Sequence, residues 1–115
     1  MNPDPLRGCL YWVVIPGEAA RKRRPALVVS IDVRNRLASD VLVVPASSVR
    51  RYSPTHVRLK KGQGGVPQDC VLKCEQITTL PKELLSERAL GGELSAHVMA
   101  EVEGGILRSI GIPID

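Results

Sequence analysis

Apolar runs separated by polar stretches predict a protein built mainly of short β-strands. Strands are expected where β-branched and aromatic residues are bounded by proline, glycine or charged residues. Such segments occupy residues 7–15, 26–31, 41–45, 56–59 and 69–78. The polar stretches between them, including 32–40, predict connecting loops. Because the spacings are short and closure would hide the strand edges, the pattern favours a small antiparallel β-barrel or a strongly bent sheet.

A helical pattern appears mainly near the end of the chain. Ser95 is a suitable N-cap, and the apolar residues after it spread over about half of a helix circumference. These residues are Val98, Met99, Val102, Ile106, Leu107 and Ile110. Gly104 and Gly105 fall outside this stripe, and each lowers helix propensity by about 1 kcal/mol relative to alanine. The width of the stripe predicts a second buried surface. A short helical turn is also expected near Pro81.

The length of 115 residues predicts a single domain over residues 1–115, with residues 1–5 as a flexible arm. The longest apolar run, 41–46, is too short to cross a bilayer, so no membrane association is expected. The chain begins without the basic and apolar regions of a signal peptide. Three cysteines are too few for a disulfide scaffold. These features predict a cytoplasmic protein.

The potential soft metal ligands show no recognisable metal-binding spacing. They are Cys9, Cys70, Cys74, His56 and His97, and no pair has the spacing of a zinc knuckle. Cys70 and Cys74 both fall in the last predicted strand, about 13 Å apart on one face, which is too far for a disulfide. We therefore expect buried thiols, no metal and no cofactor.

Positive charge is concentrated in the middle of the chain. Residues 21–61 contain eleven Lys or Arg and two acidic residues, a net charge of +9, whereas the remainder has a net charge of −5. Such a segment would attract a polyanion such as a nucleic acid. A merely solvated basic surface is the alternative.

Groups suited to phosphodiester chemistry flank the predicted strands, where the loops of a small barrel can converge. They are Glu18, the arginines of 21–24, Ser47, Ser48, Arg50 and Arg51. Guanidinium groups match phosphate oxygens, and a hydroxyl can donate a further hydrogen bond. A carboxylate can accept the proton of an attacking hydroxyl. In type, these groups suffice for metal-free cleavage of RNA through its 2′-OH. The alternative is that Arg24 only pairs with carboxylates and Ser47 only closes a turn.

A series of short motifs runs in order through almost the whole chain. The motifs are Arg7-Gly8, Trp12, Glu18, Arg24-Pro25-Ala26-Leu27-Val28-Val29-Ser30, Asn35, Val43-Val44-Pro45-Ala46-Ser47-Ser48, Pro54-Thr55-His56-Val57, Asp69-Cys70-Val71, Glu75-Gln76-Ile77, Gly92-Glu93-Leu94-Ser95 and Ile110-Gly111-Ile112. Each is weak alone, but in this order the chain resembles the MazF/PemK (Kid-like) family of toxin endoribonucleases.

The resemblance implies the SH3-like barrel that this family shares with CcdB, with a C-terminal helix. It implies a homodimeric toxin of a type II toxin–antitoxin system, inhibited by a MazE-like antitoxin. It further implies sequence-selective, metal-independent cleavage of single-stranded RNA (mRNA), leaving 2′,3′-cyclic phosphate and 5′-hydroxyl ends.

The family's catalytic positions fall on Arg24, Ser47 and Glu18 in this chain. Serine replaces the usual threonine at position 47, which keeps the hydroxyl and leaves Ser48 as a possible substitute. An electrostatic role suits Arg24, because a guanidinium is a poor general acid. Further RNA contacts are expected from Arg21, Arg23, Ser48, Arg50, Arg51, Tyr52 and Gln76. His56 is expected to be structural and His97 to lie on the surface.

Two other functions remain open. A gyrase inhibitor of the CcdB type would share the fold and cleave nothing, although it would not require Arg24 and Ser47. A nucleic-acid-binding barrel without catalytic activity would also explain the charge.

Overall fold

A computed structural model describes residues 3–18, 22–49 and 51–114. These ranges contain six strands and two α-helices. In chain order they are β1 (Leu10–Val13), β2 (Arg24–Val28), α1 (Asp32–Leu37), β3 (Asp40–Ser47), β4 (His56–Leu59), β5 (Cys70–Lys73), β6 (Thr78–Pro81) and α2 (Ala96–Ser109). Three 3-10 turns lie at Gln63–Gly65, Cys74–Gln76 and Lys82–Leu84.

The strands form one antiparallel sheet in the order β1-β2-β3-β5-β4, with β6 paired to β3. Val43 of β3 pairs with Val28 of β2 and with Thr78 of β6, so these two strands lie on opposite edges of β3. Further along, Ala46 pairs with Leu72 of β5. The mainly antiparallel fold with a C-terminal helix is confirmed. The sheet does not close on itself within the described ranges, so the term barrel applies only loosely.

The sheet carries an apolar core on each face, because successive side chains of a strand point to opposite sides. Leu27 and Val44 belong to the core that also contains β4, β5 and the buried face of α2. Ala26 and Val43, each one residue earlier, belong to the core that contains Leu80. Aliphatic residues dominate both cores, and covering both faces makes β2 and β3 the rigid centre of the molecule.

The prediction of one strand over 69–78 is wrong. The structure has β5 and β6 there, separated by the 3-10 turn Cys74–Gln76. The backbone N–H of Cys74 still follows the β4–β5 register, donating to the carbonyl of Thr55 at 3.0 Å, but the Cys74 carbonyl accepts from the N–H of Ile77 at 3.3 Å and closes the turn. The strand-based spacing of Cys70 and Cys74 therefore does not apply. The expectation of buried free thiols is confirmed for all three cysteines.

The predicted loop 32–40 contains the helix α1. This helix buries only one residue, Asn35, whose side-chain amide donates to the carbonyl of Ser30 at 2.9 Å. The Ser30 hydroxyl in turn accepts from the backbone N–H of Leu42 at 3.0 Å. Because hydrogen bonds rather than an apolar stripe fix this helix, the hydrophobic pattern gave no sign of it.

Helix α2 begins as predicted, with the Ser95 hydroxyl accepting from the backbone N–H of Val98 at 3.2 Å. Contrary to the pattern analysis, Gly104 and Gly105 are buried. A Cβ atom at Gly105 would lie 2.8 Å from Cys74 Sγ, so the missing side chain allows α2 to pack tightly on the 3-10 turn. Near Pro81, the expected helical turn is the 3-10 turn Lys82–Leu84.

In the first residues of the chain, Met1 and Asn2 lie outside the described ranges. Asp4 accepts a hydrogen bond from Lys82 Nζ at 3.1 Å, and Pro5 is buried. Over the parts of the chain that are described, no helix has the length and apolar character needed to cross a membrane.

Candidate active site

Antiparallel pairing of β2 with β3 brings the two halves of the predicted site together. Ala26 pairs with Pro45. Continuing this register by two residues sets Arg24 opposite Ser47, at the end of the ladder where both strands enter loops. Both residues line one cleft of about 330 Å³. The sheet thus joins a guanidinium and a hydroxyl that are 23 positions apart in the sequence.

The cleft is basic on one wall and polar on the other. Lys22 and Arg23 come from the loop before β2, and Arg24 is the first residue of β2. Ser47 is the last residue of β3, and Ser48 follows it. The other lining residues are Trp12, Pro25, Ala46, Val49, Val66, Pro67, Gln68 and Cys70. This lining contains cations and no carboxylate among the residues that the structure describes, so it favours an anionic ligand.

Arg24 forms an ion pair with Glu18 through a single terminal nitrogen, Nη2. The Arg24 side chain is 19% exposed and that of Glu18 is 31% exposed. The Arg24 Nε is buried and has no hydrogen-bond partner within the described residues. A buried unpaired donor is unfavourable, so the guanidinium retains hydrogen-bonding capacity for an incoming acceptor. The loop carboxylate of Glu18 and the partly unsatisfied guanidinium at the start of β2 therefore lie side by side.

Ser47 closes a local turn, because its Oγ accepts from the backbone N–H of Val49 at 3.1 Å. This contact uses the hydroxyl as an acceptor and leaves its proton free to donate. Ser47 is half-buried, whereas Ser48 is exposed on the same cleft. Both serines therefore line the cleft, and the turn to Val49 holds the Ser47 side chain.

Trp12 is a cleft residue that the sequence analysis did not assign to the site. It lies on β1, beside β2, and the guanidinium carbon of Arg23 sits 5.6 Å from its ring centroid. Such a cation–π contact fixes the Arg23 side chain over the ring. A lone tryptophan in a strand that precedes a basic loop was the available signal. Gln68, in the turn before β5, also lines the cleft, and no sequence pattern indicated it.

The other predicted RNA-contacting residues do not all lie in this cleft. Arg51 and Tyr52 line a second cleft of about 320 Å³, together with Ser53, His56, Arg58 and Glu101. Gln76 is exposed on the 3-10 turn Cys74–Gln76 and lines neither cleft. Arg21 and Arg50 lie outside the described residues.

His56 is held by acceptors on both sides of its ring. Its Nδ1 lies 3.0 Å from the carbonyl oxygen of Arg51, and its Nε2 lies 3.0 Å from Glu75 Oε2. Burial raises the pKa of Glu75, but hydrogen bonds from His56, the backbone and Thr55 outweigh burial, and the net shift is downward. His97 has a side chain that is 87% exposed and pairs with Glu101 along α2. The histidine of the second cleft is thus held on both sides of its ring, whereas the histidine of α2 is exposed and contacts Glu101.

The cysteines offer little nucleophilic character. Burial, followed by the negative charge of Asp69, raises the pKa of Cys70 in the first cleft. A thiol held in its protonated form is a poor nucleophile. Among residues 3–18, 22–49 and 51–114, no group of three or more His, Cys, Asp or Glu side chains is placed to hold a metal ion.

Comparison with known proteins gives a consistent result. Residues 6–110 match the family described as PemK-like, MazF-like toxin of type II toxin-antitoxin system. The endoribonuclease MazF of Staphylococcus saprophyticus is 32% identical over 91 residues, which cover 77% of this chain and 74% of that protein.

Solved structures agree with the sequence match. A mycobacterial endoribonuclease in complex with its cognate antitoxin has a TM-score of 0.80 at 29% identity, covering 96% of this chain and 99% of its own. A MazE–MazF structure from Deinococcus radiodurans has a TM-score of 0.77 at 27% identity, covering 97% of this chain and all of its own (100%). The chain therefore belongs to the PemK-like, MazF-like toxins of type II toxin–antitoxin systems.

Proposed function

We propose that this toxin is an endoribonuclease that cleaves single-stranded RNA at the cleft between the β1–β2 loop and the end of β3. In the proposed reaction, the ribose 2′-oxygen attacks the adjacent phosphorus and the bond to the 5′-oxygen breaks. The products are a 2′,3′-cyclic phosphate and a 5′-hydroxyl, and no metal takes part. The observation that carries this proposal is the position of Arg24 and Ser47 on one cleft.

Arg24 is assigned the stabilisation of charge on the pentacoordinate transition state. Its side chain is largely buried, and its Nε has no partner in the described part of the protein. A preorganised donor of this kind typically contributes about 100- to 1000-fold to a rate. Because the neighbouring Trp12 already supports Arg23, that second arginine is suited to holding the RNA backbone.

Ser47 and Glu18 are assigned the remaining roles. The Ser47 hydroxyl can donate to a phosphate oxygen while its Oγ keeps the turn closed. Glu18 can accept the proton of the attacking 2′-OH, and its ion pair with Arg24 places it beside the group that would bind the phosphate. The departing 5′-oxygen takes up a proton from water.

The basic surface also suits an inhibitory partner. A solved relative is an endoribonuclease bound to its cognate antitoxin, and we expect this chain to be controlled in the same way by a MazE-like antitoxin. An acidic, partly disordered segment would occupy the basic clefts and exclude RNA. The protein is expected to act in the cytoplasm as a homodimer, in which α2 contributes to the interface.

The test is the cleavage of defined single-stranded RNA by the purified protein in the presence of EDTA. We expect discrete fragments with 2′,3′-cyclic phosphate and 5′-hydroxyl ends. A matched oligonucleotide with a single 2′-deoxy nucleotide at the cleaved position should remain intact there. Cleavage that persists at the deoxy position, or that requires a metal, would contradict the proposal.

The same experiment separates the alternatives. RNA that is retarded in a gel and stays intact would indicate a binding protein without activity. Intact RNA together with inhibition of gyrase would indicate the gyrase-directed function.

A further inference from the structure

His56 has a hydrogen-bond acceptor next to each of its two ring nitrogens. A backbone carbonyl and a carboxylate can only accept hydrogen bonds, and each lies 3.0 Å from one ring nitrogen. Hydrogen bonds to both acceptors at once need both nitrogens to donate, which only the imidazolium form can do. A neutral ring would set a nitrogen lone pair against either the Arg51 carbonyl or the Glu75 carboxylate.

The remaining partners keep Glu75 in its ionised, accepting form. The Thr55 hydroxyl donates to Glu75 Oε1 at 2.9 Å, so both carboxylate oxygens are occupied. Thr55 is itself linked to Ser53, with 3.1 Å between the two hydroxyl oxygens. The His56 side chain is only 11% exposed, which protects its hydrogen bonds from competition by water.

This cluster joins the loop after β3 to the sheet and to α2. His56 opens β4, Glu75 lies on the 3-10 turn after β5, and the Arg51 carbonyl belongs to the loop. Arg108 of α2 also holds the loop, by donating to the carbonyl of Pro54 at 3.3 Å. The loop presents Arg51 and the 81% exposed Tyr52 at the second cleft.

We infer that His56 is a positioning residue for RNA binding, which in its protonated form fixes Arg51 and Tyr52 at the second cleft. This inference rests on the proposed function. Deprotonation removes one of the two hydrogen bonds, and the loop loses a fixed attachment. Arg24 and Ser47 line the other cleft, so RNA binding should weaken while the chemical step keeps its rate.

The charges that face His56 come from several elements. The acidic groups are Glu75, on the 3-10 turn after β5, and Glu101, which lines the second cleft from α2. Glu75 makes the direct contact at 3.0 Å. Lys73 is the cross-strand partner of His56 in the β4–β5 ladder. The cations from the loop, from β4 and from β5 are Arg51, Arg58 and Lys73. Arg108 of α2 contacts the loop at the Pro54 carbonyl.

Two substitutions at this cluster should have opposite effects. Glu75→Gln replaces a carboxylate by an amide, whose NH2 can donate to the Nε2 of a neutral imidazole while its carbonyl still accepts from Thr55. The loop should then stay fixed whether or not His56 is protonated. His56→Gln can neither carry a charge nor span both acceptors, so the loop should be free at every pH.

The experiment measures KM and kcat for a transcript that the wild type cleaves, across the range in which histidine side chains titrate, about pH 5 to 8. For the wild type, KM should rise roughly three- to tenfold as pH increases, as expected for loss of one partly exposed charge-assisted contact. For Glu75→Gln, KM should stay low throughout, and for His56→Gln it should be high throughout. His97→Gln, at the chain's other histidine, should follow the wild type.

A second measurement does not depend on RNA cleavage. Nitrogen NMR of the His56 ring should show both nitrogens protonated in the wild type at low pH, and a neutral ring protonated at Nδ1 in Glu75→Gln at high pH. A wild-type KM profile in His56→Gln, or an unchanged pH dependence in Glu75→Gln, would overturn the inference. Failure of the wild type to cleave RNA at any pH would refute the proposed function instead, and the NMR result would still decide the state of His56.

Discussion

Arg24 and Ser47 each lie two residues beyond Ala26–Pro45, the last pair between β2 and β3, and both line the same cleft. The β2–β3 register that produces this relationship is fixed by a core on each face of the sheet. A slip of one residue would turn every core side chain to the wrong face. The fold therefore holds the guanidinium and the hydroxyl together by the same packing that stabilises the protein.

The choice between the two adjacent serines can be tested directly. Ser47→Ala should slow RNA cleavage by roughly 10- to 100-fold, which corresponds to the free energy of one hydrogen bond to a charged group. Ser47→Thr restores the hydroxyl and should retain most of the activity, and Ser48→Ala should have little effect. Single-turnover rates at saturating protein measure these differences. A larger loss in Ser48→Ala than in Ser47→Ala would transfer the role to Ser48.

Glu18→Gln tests whether the carboxylate beside Arg24 accepts a proton in the reaction. The change removes a general base, and such groups typically contribute about 100- to 10,000-fold. It also removes a negative charge from the edge of a basic cleft, so RNA should bind as tightly as before or more tightly. We expect a large fall in kcat with an equal or lower KM. A variant with unchanged kcat would leave Glu18 as only an ion-pair partner of Arg24.

The general fold could be predicted because it depends on local signals. Apolar runs indicated β1 to β4, and Ser95 marked the start of α2. Arg24 and Ser47 are distant in the sequence but share a cleft, because consecutive strands commonly pair.

The missed features depend on contacts between distant segments. Asn35 and Ser30 fix α1 through polar side chains, which leave no hydrophobic period. The break at Cys74–Gln76 arises where α2 packs on the turn through Gly105, a contact that becomes visible only in three dimensions. The separation of Arg51 and Tyr52 from the first cleft likewise depends on where the loop is anchored.

Two adjacent glycines of α2 provide a matched test of the packing against Cys74. A Cβ at Gly105 would lie 2.8 Å from Cys74 Sγ and 3.3 Å from the carbonyl oxygen of Thr55. Gly105→Ala should therefore lower the free energy of unfolding by about 1–2 kcal/mol, because the cost of overpacking exceeds the gain in helix propensity. At Gly104 the nearest atom is the end of the Arg108 side chain, at 3.4 Å. Gly104→Ala should be neutral or stabilising by up to about 1 kcal/mol.

Urea unfolding of the two glycine variants measures this difference. Equal stabilities for Gly104→Ala and Gly105→Ala would mean that α2 does not pack closely on the 3-10 turn.

The buried thiol of Cys74 makes stability depend on pH in the alkaline range. Burial, followed by the charge of Glu75, raises the pKa of Cys74 from 9.0 to about 11. Because the folded state binds the proton more tightly, this contribution to stability is complete below pH 9.0 and is lost as pH rises towards 11. The urea midpoint of the wild type should fall across that range. Relative to its own midpoint at neutral pH, Cys74→Ala should show a smaller fall.

Thiol labelling gives an independent measurement. At pH values below 9.0, the three buried cysteines should react with a thiol reagent only after denaturant is added. Rapid labelling of the native protein would contradict the burial of these side chains.

The decisive measurement for Arg24 is the single-turnover rate of RNA cleavage in Arg24→Ala, with Arg23→Ala, the preceding residue, as the matched control. We expect a rate about 100- to 1000-fold lower for Arg24→Ala, with RNA still bound and the fold intact by circular dichroism. Arg23→Ala should weaken binding and leave the rate at saturation within a few fold of the wild type. A folded Arg24→Ala protein that cleaves RNA at the wild-type rate would show that Arg24 does not stabilise the transition state.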